Sequence, residues 1–278
     1  EVTLDIVLTE ARCRVGVIHG RRDPLFGGRS PAPDMEALGL LMHTVREGGY
    51  HLGIATDGDA DRIAVVDEAG QYVSVNDLLL LLYWYLHEIR GMKGGVVRNL
   101  STTHMLDRLA KQFGETCVEV PVGFKHIIVG MQEHGAVLGG ESSGGLTIRG
   151  HILGKDGILA AALIAEMLAK TGRPISELLD RVRTQVGSLY MEELSLPATP
   201  EMRVQLPRRL EGAAFDELAG CRVLDISRMD GTKLLLEADQ WVLLRFSGTE
   251  PLLRIVAESE SPAKAQALIE ALRESLGF

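Results

Sequence analysis

Short apolar runs alternate with longer amphipathic stretches through most of the chain, and this alternation predicts most of its elements. Residues 15–18 form an apolar run ahead of a Gly- and Pro-rich loop over 20–33, which predicts a strand followed by irregular chain. A helix is expected over 34–47, stopped by Gly48 and Gly49. Residues 52–55 and 63–66 read as two short strands on either side of an acidic loop. From about residue 76 the pattern runs helix, strand, helix, strand. A helix over 78–89 is capped by Asn76 or Asp77, 95–97 is a strand, Ser101 caps a helix ended by Gly114, and 117–120 is a strand. A helix over 124–133, a strand over 136–138 and a long apolar helix over 156–170 closed by Gly172 follow. Beyond Gly187 the texture changes. Pro197, Pro200 and Pro207 interrupt the chain, and 233–237, 241–246 and 252–258 read as strands joined by turns at Asp230-Gly231 and 237–240. Ser261 as cap and Pro262 at the first position open a last helix that ends at Gly277.

This order predicts an α/β fold. A layered α/β domain with a mixed sheet over 74–187 is preceded by part of a similar domain over 1–73 and followed by a small α+β domain over 188–278. The first segment has too few strands to bury a sheet alone. Composition narrows the partners. A net charge of −9 on 278 residues disfavours a nucleic-acid surface and leaves a small molecule as the expected ligand. The most apolar run, 78–86, is about half the roughly 20 residues of a membrane span, so no membrane helix is expected. The first residues carry no export signal and read as mid-chain sequence. Cys13, Cys117 and Cys221 lack the paired spacing of zinc or redox sites and read as reduced thiols of a cytoplasmic protein. Nothing in the pattern bears on oligomeric state.

Four loops carry candidate chemistry. Asp57, Asp59 and Asp61 alternate in a tight loop, where hard carboxylate oxygens can converge on Mg²⁺ beside the cationic Arg62. A calcium EF-hand would place Asp57, Asp59, Asp61 and Glu68 similarly, but needs Gly where Arg62 stands and helices where the flanks read as strands. The run 139–145, Gly-Gly-Glu-Ser-Ser-Gly-Gly, surrounds Glu141 and two hydroxyls with residues that let a polyhydroxyl ligand come close. Arg245, Ser247, Gly248 and Thr249, with Arg254 beginning the next strand, suit a phosphate dianion. Lys125, near the start of a helix beside His126, can bind an anion or move a proton.

In this order the loops resemble those of the α-D-phosphohexomutase family, which includes phosphoglucomutases, phosphomannomutases and phosphoglucosamine mutases. Asp-Gly-Asp-X-Asp-Arg stands at 57–62, Gly-Glu-X-Ser-Gly at 140–144 and Arg-X-Ser-Gly-Thr-Glu-Pro at 245–251. Gly-Phe-Lys at 123–125 matches a further substrate loop, and 23–29 with Pro31 and Pro33 looks like the family's second domain. The resemblance covers nearly the whole chain. It implies four domains in the complete protein, of which these residues carry part of the second and all of the third and fourth. It also implies Mg²⁺ on Asp57, Asp59 and Asp61, sugar hydroxyls on Glu141 and Ser143, and the unreacting phosphate on Arg245, Ser247, Gly248, Thr249 and Arg254. Arg62 would serve the transferring phosphoryl group and Lys125 would act as acid or base.

The implied reaction moves a phosphoryl group between the 1- and 6-positions of a hexose phosphate. A phosphoserine donates it, and hexose 1,6-bisphosphate serves as intermediate and activator. The loop that carries this serine has no match in the sequence. Ser101-Thr102-Thr103-His104 is superficially similar, but it follows the metal loop and is read as a helix cap. The chain alone is therefore expected to be inactive. A phosphosugar-binding fragment without turnover is the second reading; a metal-dependent phosphatase with Asp57 as nucleophile would need a different acidic loop. Phosphoglucosamine mutases tend to read Gly-Glu-Gln-Ser-Gly-His where this chain reads Gly-Glu-Ser-Ser-Gly-Gly, which favours glucose or mannose phosphates and leaves pentose phosphates open.

Overall fold

The computed structural model describes residues 2–213 and 215–277, in two compact units. The first holds the chain up to residue 102 together with 106–186; the second holds 103–105 and the chain from 187 onward.

The first unit opens with α1 (Val2–Glu10) and α2 (Gly39–Gly48), followed by the antiparallel meander of β1 (Gly53–Thr56), β2 (Ile63–Val66) and β3 (Tyr72–Val73). Gly49 ends α2 in the left-handed region, its amide closing onto the Val45 carbonyl. The helix starts later than its polar pattern predicts, because Asp34 caps a separate turn by accepting from the Ala37 amide at 2.9 Å. Residues 15–18 are not a strand. Among the described residues β1 pairs only with β2, so this apolar run has no ladder to join and Val17 is exposed.

Next come α3 (Val75–Trp84), β4 (Val96–Asn99), α4 (Met105–Phe113), β5 (Cys117–Val120), α5 (Phe124–His134), β6 (Leu138–Gly140), β7 (Leu146–Ile148), α6 (Gly157–Thr171) and α7 (Ile175–Val186). The cap of α3 is Ser74, two residues before the expected Asn76. Its hydroxyl oxygen accepts from the Asp77 amide at 3.1 Å while donating to the Asp77 carboxylate at 2.7 Å. Every side chain from Leu78 to Leu86 is at most 1% exposed, so this run is a helix buried on all sides. Ser101 does not cap α4; the Met105 amide donates to the Thr103 hydroxyl at 3.0 Å.

The sheet order is β5-β4-β6-β7, with β5, β4 and β6 parallel and β7 antiparallel to β6. Gly139 and Gly140 point to opposite faces of β6. A Cβ on Gly139 would strike Ile127 and Met131 of α5, and one on Gly140 would strike Leu79 of α3. The two glycines therefore admit a helix on each face of the sheet, and they belong to a strand where a loop was expected.

The second unit contains β8 (Tyr190–Pro197), α8 (Pro200–Gly212), β9 (Glu217–Leu218), β10 (Cys221–Ser227), β11 (Thr232–Leu236), β12 (Trp241–Phe246), β13 (Leu252–Ser259) and α9 (Pro262–Leu276). One antiparallel sheet of order β8-β13-β12-β11-β10-β9 packs with both helices around Leu206, Leu244, Ile255, Leu268 and Leu272. Of the three prolines expected to break the chain, Pro197 ends β8 and the other two lie in α8. Thr199 caps it, Pro200 sits in its first turn where no amide is needed, and Pro207 stands inside next to the buried Leu206. Residues 103–105 join this unit through His104, whose amide donates to Glu258 Oε2 at 2.8 Å and whose Nε2 lies 3.0 Å from Lys233 Nζ.

Candidate functional site

The acidic loop is the tip of the β1–β2 hairpin, with Thr56 opposite Ile63. Strands on both flanks exclude the EF-hand geometry. Asp57 Oδ1 accepts from the amides of Asp61 and Arg62, each at 3.0 Å, and Ala60 is held at a φ of 60°, where a side chain is strained. This curl brings the three carboxylates together. One oxygen from each of Asp57, Asp59 and Asp61 lies within 4.8 Å of the others.

Two further loops of the same unit close onto this hairpin. Gly144, at a φ of 93°, approaches the Ile63 backbone, where a Cβ would lie 2.9 Å from the carbonyl oxygen, and Arg62 bridges to Gly145. The Gly157 amide donates to the Ala60 carbonyl at 2.9 Å. That contact brings in Lys155, which the sequence reading missed. Its ammonium lies 2.5 Å from Asp61 Oδ2, and its stem runs across the face of Gly145 where a Cβ would clash. Asp57, Asp59, Asp61, Arg62 and Lys155, with Phe26, Pro31 and Ala32, line a cleft of about 500 Å³.

The electrostatics divide the triad. Burial raises the Asp57 carboxyl above its ordinary range, and repulsion from Asp61 and Asp59 adds to this against the pull of the Arg62 amide. Burial works the same way on Asp61, but the hydrogen bond and charge of Lys155, with Arg62, outweigh it and lower that carboxyl. The donor set fits a hard divalent cation. It offers three carboxylate oxygens, their repulsion only partly offset by Lys155 and Arg62, and no soft ligand. Arg62 Nε is buried without a hydrogen-bond partner, 3.7 Å from Asp57 Oδ2 and 3.8 Å from Asp61 Oδ1.

Because β5, β4 and β6 are parallel, the chain leaves all three at one sheet edge, carrying Lys125, Ser101 and Glu141 with it. The carboxyl ends of parallel strands are the usual ligand edge of such sheets. Glu141 is 7% exposed and accepts from the Ser143 hydroxyl at 2.7 Å. Lys125 is exposed in the first turn of α5 and does not line the acidic cleft.

The basic loop lies in the second unit. Arg245 and Arg254 face each other directly across β12 and β13, a juxtaposition of like charges that destabilises a sheet unless something neutralises it. Asp230 Oδ2 lies 2.9 Å from Arg245; Glu250 and Glu193 lie 2.7 and 3.5 Å from Arg254. Ser247 is buried, and its hydroxyl oxygen accepts from the amides of Thr249 at 3.4 Å and Glu250 at 3.2 Å. Those two amides turn inward, which leaves the guanidiniums and the Thr249 hydroxyl as the donors this loop can offer a ligand. Gly248 has open space where its Cβ would be.

Comparison with known proteins agrees with this architecture. Three family models match in sequence order: phosphoglucomutase/phosphomannomutase alpha/beta/alpha domain II over 2–70, alpha/beta/alpha domain III over 74–186, and the C-terminal domain over 201–275. The chain belongs to the α-D-phosphohexomutase family. It is 35% identical to a "Probable phosphoglucosamine mutase" of Methanopyrus kandleri over 95% of its own residues and 56% of that protein. A phosphoglucomutase/phosphomannomutase of Thermococcus kodakarensis is 33% identical over 97% of the chain and 56% of its own length. A crystal structure of a Thermus thermophilus protein assigned to the phosphomannomutases superposes with a TM-score of 0.82 at 30% identity, covering 99% of this chain and 58% of that one. The chain thus spans a little over half the length of the relatives it matches.

Proposed function

We propose that these residues supply the metal-, sugar- and phosphate-holding parts of a phosphohexomutase, a cytoplasmic isomerase of carbohydrate metabolism that shifts a phosphoryl group between the 1- and 6-positions of a hexose phosphate. Hexose 1,6-bisphosphate is its intermediate and activator. The observation that carries the reading is the convergence of Asp57, Asp59 and Asp61 in a cleft shared with Arg62 and Lys155. Mg²⁺ held by these three carboxylates would neutralise charge on a transferring phosphoryl group.

The chain's own side chains do the positioning, which is most of what such a transfer requires. Arg62, with its unpartnered Nε inside the cleft, orients a phosphate oxygen near the triad. Lys155 keeps Asp61 ionised. Glu141, aided by Ser143, accepts hydrogen bonds from sugar hydroxyls. Lys125 serves as an anion ligand or acid–base group at the same sheet edge. In the second unit Arg245 and Arg254 receive a phosphate, with Ser247, Gly248 and Thr249 shaping the approach. We take 1–73, 74–187 and 188–278 as the domains that carry the metal, sugar and phosphate loops. The expected storage group is a phosphoserine, and the 278-residue polypeptide is assigned binding without turnover. The loop Gly-Glu-Ser-Ser-Gly-Gly favours glucose or mannose phosphates; the name of the Methanopyrus relative keeps glucosamine phosphate as the alternative.

Calorimetric titration with Mg²⁺ tests the reading. The parent chain binds one ion, and Asp59→Ala binds it at least tenfold more weakly, a loss of about 1.4 kcal/mol or more. Equal affinity in the two proteins removes the metal assignment.

A further inference from the structure

Three hydrogen bonds close a ring at the end of β4. Asn99 Oδ1 accepts from the Ser101 hydroxyl at 3.1 Å, Asn99 Nδ2 donates to Ser142 Oγ at 3.4 Å, and the two serine oxygens lie 2.9 Å apart. Each hydroxyl has one proton to give. With the Ser101 proton on Asn99, the proton between the serines must come from Ser142, so the ring runs in one direction. Turning the Asn99 amide end for end reverses that direction, but each hydroxyl still donates inside the ring. Neither has a proton left for a ligand. Asn99 itself is 1% exposed, so its remaining N–H does not reach the surface.

The neighbouring residues share this character. The Ser143 hydroxyl spends its proton on Glu141 Oε1 at 2.7 Å, and a carboxylate has no proton to offer. The side chains of Ser101, Ser142, Ser143 and Glu141 therefore present only acceptors, with a negative charge among them. Ser142 and Ser143 are exposed and Ser101 is half-buried, which leaves their outward lone pairs accessible. A phosphate dianion, itself an acceptor, gains no hydrogen bond from these side chains. A group that brings its own protons completes the valences.

We propose that the Asn99–Ser101–Ser142 ring is a donor-selective subsite that receives a hydroxyl or ammonium group of the sugar and excludes its phosphate. This gives a binding role to the serine segment that sequence reading set aside as a helix cap. The inference rests on the sugar-binding reading of Glu141, and it adds the residues and the hydrogen-bond polarity by which the sugar is chosen.

Calorimetry on the whole chain with Mg²⁺ tests it, using orthophosphate, glucose 6-phosphate, glucosamine 6-phosphate and the 2-, 3- and 4-deoxy analogues of glucose 6-phosphate. The parent prefers sugar phosphates to orthophosphate. Ser142→Ala and Ser101→Ala each weaken the intact sugar phosphates by roughly three- to tenfold, the scale of one neutral hydrogen bond. Both leave orthophosphate and one of the deoxy analogues unchanged, and Ser101→Thr, which keeps the hydroxyl, retains parent affinity. A hydroxyl as the recognised donor gives equal losses for glucose and glucosamine 6-phosphates; an ammonium gives the larger loss for glucosamine 6-phosphate. If the parent keeps its preference and both alanine variants share it undiminished, or if orthophosphate affinity falls in step, the ring is not the subsite. If the parent shows no preference at all, the sugar-binding reading fails and the ring with it.

Discussion

The side chain that most alters the local chemistry is Lys155, because it occupies with a fixed cation the charge that a divalent ion would otherwise satisfy. Its ammonium is 2.5 Å from Asp61 and only 20% exposed, so the pair is less screened than an ordinary surface ion pair. Lys155→Met should therefore tighten Mg²⁺ binding by on the order of 1 kcal/mol, roughly fivefold, as calorimetry would register. Weaker binding in the variant would mean that Lys155 holds the loop in shape and does not compete for it. The three aspartates were legible in the sequence because they lie within five residues and need only a tight loop to meet. Lys155 was not. Only the docking of Gly157 on Ala60 and the bare face of Gly145 bring it to Asp61, and both are tertiary contacts between loops far apart in the chain.

Among the elements, α6 is one whose ends the sequence marks, and its first residue, Gly157, donates to the Ala60 carbonyl of the acidic loop. Asp156 Oδ1 accepts from the Ile158 and Leu159 amides, both at 2.9 Å, while Oδ2 lies 2.8 Å from His151 Nε2. Burial opposes the ionised carboxyl, but the Leu159 amide, His151 and the Ile158 amide outweigh it and lower its pKa from 3.8. A lowered folded-state pKa means stabilisation that is complete above the unfolded value and lost as pH falls through the folded one. Asp156→Ala should cost about 1 kcal/mol at neutral pH. Urea midpoints of parent and variant should draw together below about pH 4; a gap that stays constant across that range would show that the charge is not what caps the helix. Sequence pattern revealed α6 because Asp156 and Gly172 mark its ends. It concealed α8, where two prolines read as breaks, and it invented a strand at 15–18, whose apolar residues find no partner. Local propensity sets helix ends; pairing and packing decide whether an apolar run becomes a strand.

At the scale of the whole molecule, the question is whether these 278 residues contain a group that can hold a phosphoryl between two half-reactions. Two nucleophiles invite consideration. Burial pushes the Cys117 thiol up to about 12, which keeps it protonated and unreactive near neutrality. Ser101 lies at the ligand edge of the sheet, but its proton is committed within the Asn99–Ser142 ring, and among the described residues no histidine or carboxylate accepts it there. Binding without turnover is the expected behaviour of this polypeptide. Incubated with Mg²⁺, glucose 1-phosphate and a catalytic amount of glucose 1,6-bisphosphate, it should form no more glucose 6-phosphate than a protein-free control in a coupled dehydrogenase assay. Intact mass after the incubation should show no phosphoryl adduct. Sustained turnover accompanied by an adduct on Ser101, both abolished by Ser101→Ala, would make that serine the storage group and overturn its assignment as a hydrogen-bonding member of the sugar subsite.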